Sequence, residues 1–288
     1  MALLVRCRVF SQAFRGQTAA LDGACPLVGV LHRSAGCSRR YSSDAKAGEE
    51  LSVRYLDGDD SGIVVFGMNR PKAKNAISMN LVKLLSDAVE SVKKNNKVRS
   101  VILCSKVPGV FCAGADLKER AKMHQSEVGP FVAKARALIT ELGNLPMPTI
   151  AAIDGAALGG GLELSLACDI RIAGGTQRLP RTIGVSLAKE LIFAARVIDG
   201  SEAKALGLAN HAVEQNKSGD AAYLRALDLA REFNPQGPIA VRMAKLAINQ
   251  GIEVRLHVEV NYIVIPTKDR LEGLAAFREK RPPRFKGE

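Results

Sequence analysis

Twice in this chain an apolar run of strand length passes directly into a glycine-bearing loop where a helix begins. The first run, 98–104, enters the loop 105–116, which ends in Phe111-Cys112-Ala113-Gly114-Ala115-Asp116. The second, 149–154, leads to Gly159-Gly160-Gly161 and a helix that runs to about Cys168. A helix over 130–142 and a Pro-bearing turn at 145–148 separate the two units. Strands alternating with helices in this order place the chain in the α/β class.

The flanking elements follow from the same reading. Runs at 51–54 and 62–68 around a polar turn at 57–62 predict a hairpin. Ser78 is placed to cap a helix on which Leu81, Leu84, Leu85, Ala88, Val89 and Val92 recur at helical spacing, ending near Asn95. Beyond 185 the pattern is mostly helical, over 186–195, 201–206, 220–233 and 238–249. With 47% hydrophobic and 24% charged residues, the 288-residue chain is neither a disordered acidic chain, a collagen nor a disulfide miniprotein. No run reaches the roughly 18 apolar residues of a membrane span.

Charge divides the chain. Residues 1–43 hold six Arg, no Lys and one acid, Asp22, and so carry +5 of the formal +12. A basic, Ser-containing, acid-poor start predicts a mitochondrial transit peptide, with processing near Tyr41 and a matrix location. Residues 44–50 read as a linker, and 51–288 as one domain with its strand-and-helix core to about 200 and a helical region after it. Cys104, Cys112 and Cys168 stand in apolar surroundings and read as buried thiols. His32, His124, His211 and His257 are scattered, so no metal set is expected.

Backbone N–H groups at a glycine loop opening a helix suit a developing oxyanion, because peptide hydrogens and the helix dipole both favour negative charge there. A tight turn that requires glycine is the competing reading for Gly159-Gly160-Gly161 taken alone. A second candidate surface is Lys93-Lys94-Asn95-Asn96-Lys97-Val98-Arg99, four cations at the end of a helix, as a phosphate-binding patch would need. No aromatic residue interleaves them for base stacking, and cations at a helix C-terminus also serve as dipole compensation.

Residues 111–118, 157–164 and 174–179, with Glu202-Ala203-Lys204-Ala205-Leu206-Gly207-Leu208 and the ending 272–283, resemble the enoyl-CoA hydratase/isomerase (crotonase) superfamily. Within it, 117–123 and 127–131 are similar to a mitochondrial branch also described as binding AU-rich RNA. The resemblance implies a spiral of ββα units with a helical C-terminal region, a homotrimer or homohexamer, and an acyl-CoA thioester as substrate, with no separate cofactor. It makes the N–H groups of Ala115 and Gly160 the oxyanion hole and Glu163 one of two catalytic glutamates. It places Ala113, Asp116 and Leu117 beside CoA, and Lys280 or Arg281 at its phosphates. Lys93, Lys94, Lys97 and Arg99 become the RNA contacts. The segment that carries the family's second glutamate is missing, since Ala173 runs straight into Gly174, and 254–264 departs from the family's helix. Low hydratase activity, or a catalytically silent subunit, is the corresponding expectation.

Overall fold

In the computed structural model, described for residues 49–174, 184–194, 196–250 and 266–288, the apolar runs become neighbours in one sheet. β1 (Leu51–Tyr55) and β2 (Ile63–Met68) form the expected antiparallel hairpin, with Leu51 opposite Met68. From β2 onward pairing is parallel: β2 with β3 (Ser100–Ser105), β3 with β5 (Thr149–Ile153), β5 with β7 (Ile170–Ala173), and β7 with β8 (His211–Ala212). The intervening strands β4 (Gly109–Cys112) and β6 (Gly155–Ala157) pair with each other in a separate parallel sheet. The units β3–β4 and β5–β6 thus each give one strand to either sheet. In the sequence 105–116 and 155–159 look like loops, because strands of four and three residues are too short to show alternation.

The central strands are buried on both faces, as parallel strands are. Val64, Phe66, Val101, Leu103, Ala151 and Ile153 face one core, completed by α1 (Met79–Lys94) and α3 (Gln125–Gly143). Their neighbours Ile63, Val65, Ile102, Ile150 and Ala152 face the other, completed by Ala222, Ala226, Leu229 and Ala230 of α7 (Ala221–Phe233). Each fully buried Leu, Ile or Phe contributes about 1.5–3 kcal/mol. The Ser78 hydroxyl accepts the Leu81 N–H and starts α1 where the sequence placed it.

α3 begins earlier than the pattern at 130–142 suggests. His124 caps it by accepting the Ser126 N–H, while the Glu127 carboxylate accepts the His124 N–H. Pro130 is therefore inside a helix, where it forgoes one backbone bond. α2 (Leu117–Arg120) and α4 (Gly160–Ala167) follow the two glycine loops. The later helices are α5 (Val185–Phe193), α6 (Gly200–Ala205), α7, α8 (Pro238–Gln250) and α9 (Lys268–Glu279). The described residues belong to one compact unit. The transit-peptide reading, most of the linker, 175–179 of the family-like block and the 254–264 departure lie outside the described residues.

Candidate active site

Pairing of β4 with β6 sets Gly109 opposite Gly155 and Cys112 opposite Ala157, so the loops after them leave side by side. They meet closely. A Cβ on Gly114, whose φ is +90°, would stand 2.8 Å from the Leu158 carbonyl oxygen and 3.6 Å from the Gly160 nitrogen. Ile77 donates its N–H to the Gly114 carbonyl at 2.7 Å and accepts the Asp116 N–H at 3.1 Å. These two bonds straddle Ala115 and turn its own N–H away from Ile77. On the second loop Gly159, at φ +49°, is the N-cap of α4. Gly161 N–H reaches the Leu158 carbonyl, and Leu162 and Glu163 N–H reach the Gly159 carbonyl, which leaves Gly160 N–H outside the ladder. Among the described residues neither the Ala115 nor the Gly160 N–H meets an acceptor. Two such donors at adjoining loop ends can receive an oxyanion.

Glu163 lies in the first turn of α4, one turn past these amides. Leu162 and Leu164 on either side of it are buried, and Glu163 is exposed. Neighbours in sequence point to different faces of a helix, so Leu162 and Leu164 shield the core rather than the carboxylate. Ala113 is half-buried and donates its N–H to the Lys74 carbonyl. Leu117 is 65% exposed at the rim. Asp116 is not free for a ligand. One of its oxygens caps α2 through the Lys118 and Glu119 N–H groups, and the other takes a hydrogen bond from Arg70 at 3.1 Å. Burial pushes the Asp116 carboxyl up, but the Glu119 amide and Arg70 outweigh it and hold the group below its ordinary value.

The C-terminal cations separate. Lys280 is exposed at the left-handed end of α9, φ 52°. Arg281 is already used: it forks onto Glu272 at 2.6 and 3.0 Å and reaches Glu279 at 2.7 Å. Hydrogen bonds from Arg281 and the Arg284 N–H bring the Glu272 carboxyl from 4.5 down to about 2. A lowered carboxyl pKa stabilises the docked tail above 4.5 and loses that contribution as pH falls toward 2. Order in residues 281–288, read from amide NMR signals, should accordingly be lost between those two values and not between pH 5 and 7; a tail equally ordered at pH 2.5 and pH 6 contradicts the Glu272 anchor.

The basic run is likewise partly consumed. Lys93 pairs with Glu141 at 2.6 Å and Lys94 with Glu90 at 2.9 Å. Arg99 braces the turn between α7 and α8, donating to the carbonyls of Asn234 and Gln236 at 2.8 and 2.9 Å. Lys97 is exposed. The four cations are therefore not the open patch the sequence suggested, because acids on α3 and one turn back on α1 lie within reach. Cys104, Cys112 and Cys168 are buried, and burial pushes the Cys112 thiol to about 11 and Cys168 to about 12, so neither is a nucleophile at neutral pH. Among the described residues no three His, Cys, Asp or Glu side chains are grouped to hold a metal, and no helix is long and apolar enough to cross a membrane.

On a mostly parallel α/β core, the pairing of β4 with β6 brings two strand-end loops together with open amides, an arrangement that can receive a developing negative charge. The chain belongs to the enoyl-CoA hydratase/isomerase family, whose pattern it matches over residues 58–175 and 173–288. It is 59% identical over 300 residues to the mouse protein "Methylglutaconyl-CoA hydratase, mitochondrial", covering 95% of this chain and 96% of that one. To the human protein of the same description it is 62% identical over 275 residues, covering 87% and 81%. Among solved structures, enoyl-CoA hydratase from Bacillus anthracis superposes with a TM-score of 0.76 at 40% identity, covering 83% of this chain and all of that one. The fold is the crotonase fold, and the protein is mitochondrial.

Proposed function

We propose that this chain hydrates an α,β-unsaturated acyl-CoA thioester, and that its substrate is 3-methylglutaconyl-CoA, converted to 3-hydroxy-3-methylglutaryl-CoA in leucine breakdown. The pairing of the 113–116 and 158–160 loops carries this reading, because it leaves the Ala115 and Gly160 N–H groups free together. The thioester oxygen accepts both hydrogens, and electron density moves from C3 toward that oxygen. Glu163 holds a water and takes its proton as the oxygen adds to C3; a second acid delivers a proton to C2. Ala113 and Leu117 border the CoA adenine, Asp116 shapes that loop through α2, and Lys280 meets the phosphates in preference to the paired Arg281. CoA is part of the substrate, and the reaction as written requires no cofactor.

The second acid belongs to a family segment that this chain lacks. The family match breaks into two stretches that meet at 173–175, and the alignment to the mouse relative spans 300 residues although this chain has only 288. Slow turnover follows, and the test is hydration of 3-methylglutaconyl-CoA by the purified chain, read as formation of the 3-hydroxy product. Self-association as a trimer or hexamer goes with this reading. Leu271, Leu274 and Phe277 supply an exposed apolar stripe on α9 for it.

A second activity, weak binding of AU-rich RNA, is favoured by exposed Lys97 beside Lys93 and Lys94, whose pairs with Glu141 and Glu90 are surface ion pairs that contribute little and can give way to phosphate. Neutralising these three should weaken binding and flatten its salt dependence. Arg99 stays in place, since its loss would loosen the α7–α8 turn instead. A triple variant that binds an AU-rich oligonucleotide as tightly as the parent at low salt removes this surface from consideration.

A further inference from the structure

The Ala115 amide is held by a loop that makes none of the proposed contacts with substrate. Residues 69–78 hydrogen-bond every residue from Phe111 to Asp116 except Ala115. Asn75 Nδ2 donates to the Phe111 carbonyl at 3.0 Å, and the Asn75 carbonyl accepts the Cys112 thiol at 2.9 Å. The Lys74 carbonyl accepts the Ala113 N–H at 3.0 Å, Ile77 holds Gly114 and Asp116 on either side of Ala115, and Arg70 reaches Asp116 itself.

Two side chains organise this loop. Asn75 is wholly buried in the left-handed region, φ 54°, and its amide is fully used: Oδ1 accepts the Arg70 N–H at 2.7 Å, while Nδ2 also donates to Ser105 Oγ at 2.8 Å. Arg70 spans the loop's two ends. Its guanidinium bonds Glu50 at 2.7 Å, the Ala76 carbonyl and Asp116 at 3.1 Å. The second oxygen of Glu50 accepts the hydroxyl of Ser78, the cap of α1, at 2.9 Å. The chain Ser78, Glu50, Arg70, Asp116 thus locks the start of α1 to the residue that follows Ala115. Ion pairs with side chains 14% and 13% exposed are little screened, so this link is stiff.

We infer that Arg70 and Asn75 are positioning residues of the oxyanion hole, clamping the peptide on both sides of Ala115 so that its N–H points into the site with Gly160 N–H. The inference rests on the hydratase reading above. Neither side chain touches substrate; each acts through the backbone of 111–116. Because a misplacement of about 1 Å in a reacting group costs on the order of 10²-fold in rate, a loop fixed at six points is a means to rate, and not only to stability.

The test reads carbonyl polarisation directly and does not depend on turnover. Cinnamoyl-CoA bound to the full chain should absorb at longer wavelength than free cinnamoyl-CoA, since hydrogen bonds to the thioester oxygen stabilise its charge-separated excited state. Arg70→Gln and Asn75→Asp should each lose at least half of that displacement while affinity for free CoA stays at the parent value. Arg70→Lys, which keeps the charge and loses the fork, should fall between. Arg99→Gln, a brace removed from the far side of the sheet, serves as the destabilised control and should retain the full displacement. Asn75→Asp keeps the side-chain volume and the acceptor for the Arg70 N–H, so it carries the test should Arg70→Gln not fold. Full displacement in the Arg70 and Asn75 variants overturns the inference, as does an equal loss in Arg99→Gln. A parent chain with no displacement overturns the oxyanion-hole reading itself, and the clamp falls with it before any variant is compared.

Discussion

Inserting the mouse relative's segment after Ala173 should raise hydration of 3-methylglutaconyl-CoA by about 10²–10⁴-fold, the usual contribution of a positioned general acid. Addition of water needs two proton movements, one from water and one to C2. On the function proposed above, the amides of Ala115 and Gly160 and the Glu163 carboxylate serve the first, and the second acid is wanting because Ala173 passes directly to Gly174. Glu163→Gln in the restored chain should then remove about 10²–10⁴-fold. In the chain as it stands the same substitution should lower a rate that is already small. The outcome that sinks both the two-acid account and the role of Glu163 is activity in the unrestored chain equal to that of the restored one and indifferent to Glu163→Gln. Activity only after restoration fits a subunit that binds thioester without turning it over.

Local signals were legible in the sequence and long-range ones were not. Ser78 as a cap, the hairpin at 51–68 and the helix read over 220–233 depend on residues a few positions apart, and the structure has the first two where the pattern put them and the helix at Ala221–Phe233. The glycine loops were legible as a pair because each follows its own apolar strand. What joins them, the β4–β6 pairing, sets Gly109 against Gly155 across 46 residues and leaves no periodic trace. The clamp is equally remote: Asn75 meets Ser105 and Phe111 30 and 36 residues away, and Arg70 meets Asp116 after 46. In the sequence these two are simply polar residues of a Pro-bearing loop. The partners of the basic run are remote as well, since Glu141 on α3 pairs with Lys93 from 48 residues away. The exposure of Glu163 was not legible either, because apolar neighbours in a helix say nothing about the face between them.

Gly155→Ala should be the most damaging single-methyl change in the site. Its φ is not in the positive range, so alanine meets no backbone strain there; the obstacle is space. A Cβ at 155 would lie 2.2 Å from the Gly109 carbonyl carbon, 2.4 Å from its oxygen and 2.4 Å from the Val110 nitrogen. All three atoms belong to one peptide group of β4, which cannot rotate aside as a side chain can. Overpacking typically costs about 1–3 kcal/mol, and a rigid backbone obstacle puts this change at or above the top of that range. Gly109→Ala is the matched comparison. It has φ +71° but open space around its would-be Cβ, so it should cost only the left-handed penalty of about 1–2 kcal/mol. Relief of the 155 clash requires β4 and β6 to part, and that moves Ala115 away from Gly160. Urea unfolding should therefore show a larger loss for Gly155→Ala than for Gly109→Ala, and bound cinnamoyl-CoA should lose its long-wavelength displacement in the former. Gly155→Ala with parental stability and a parental spectrum would mean that the two strands do not approach this closely, and the alignment of the two loops would need another cause.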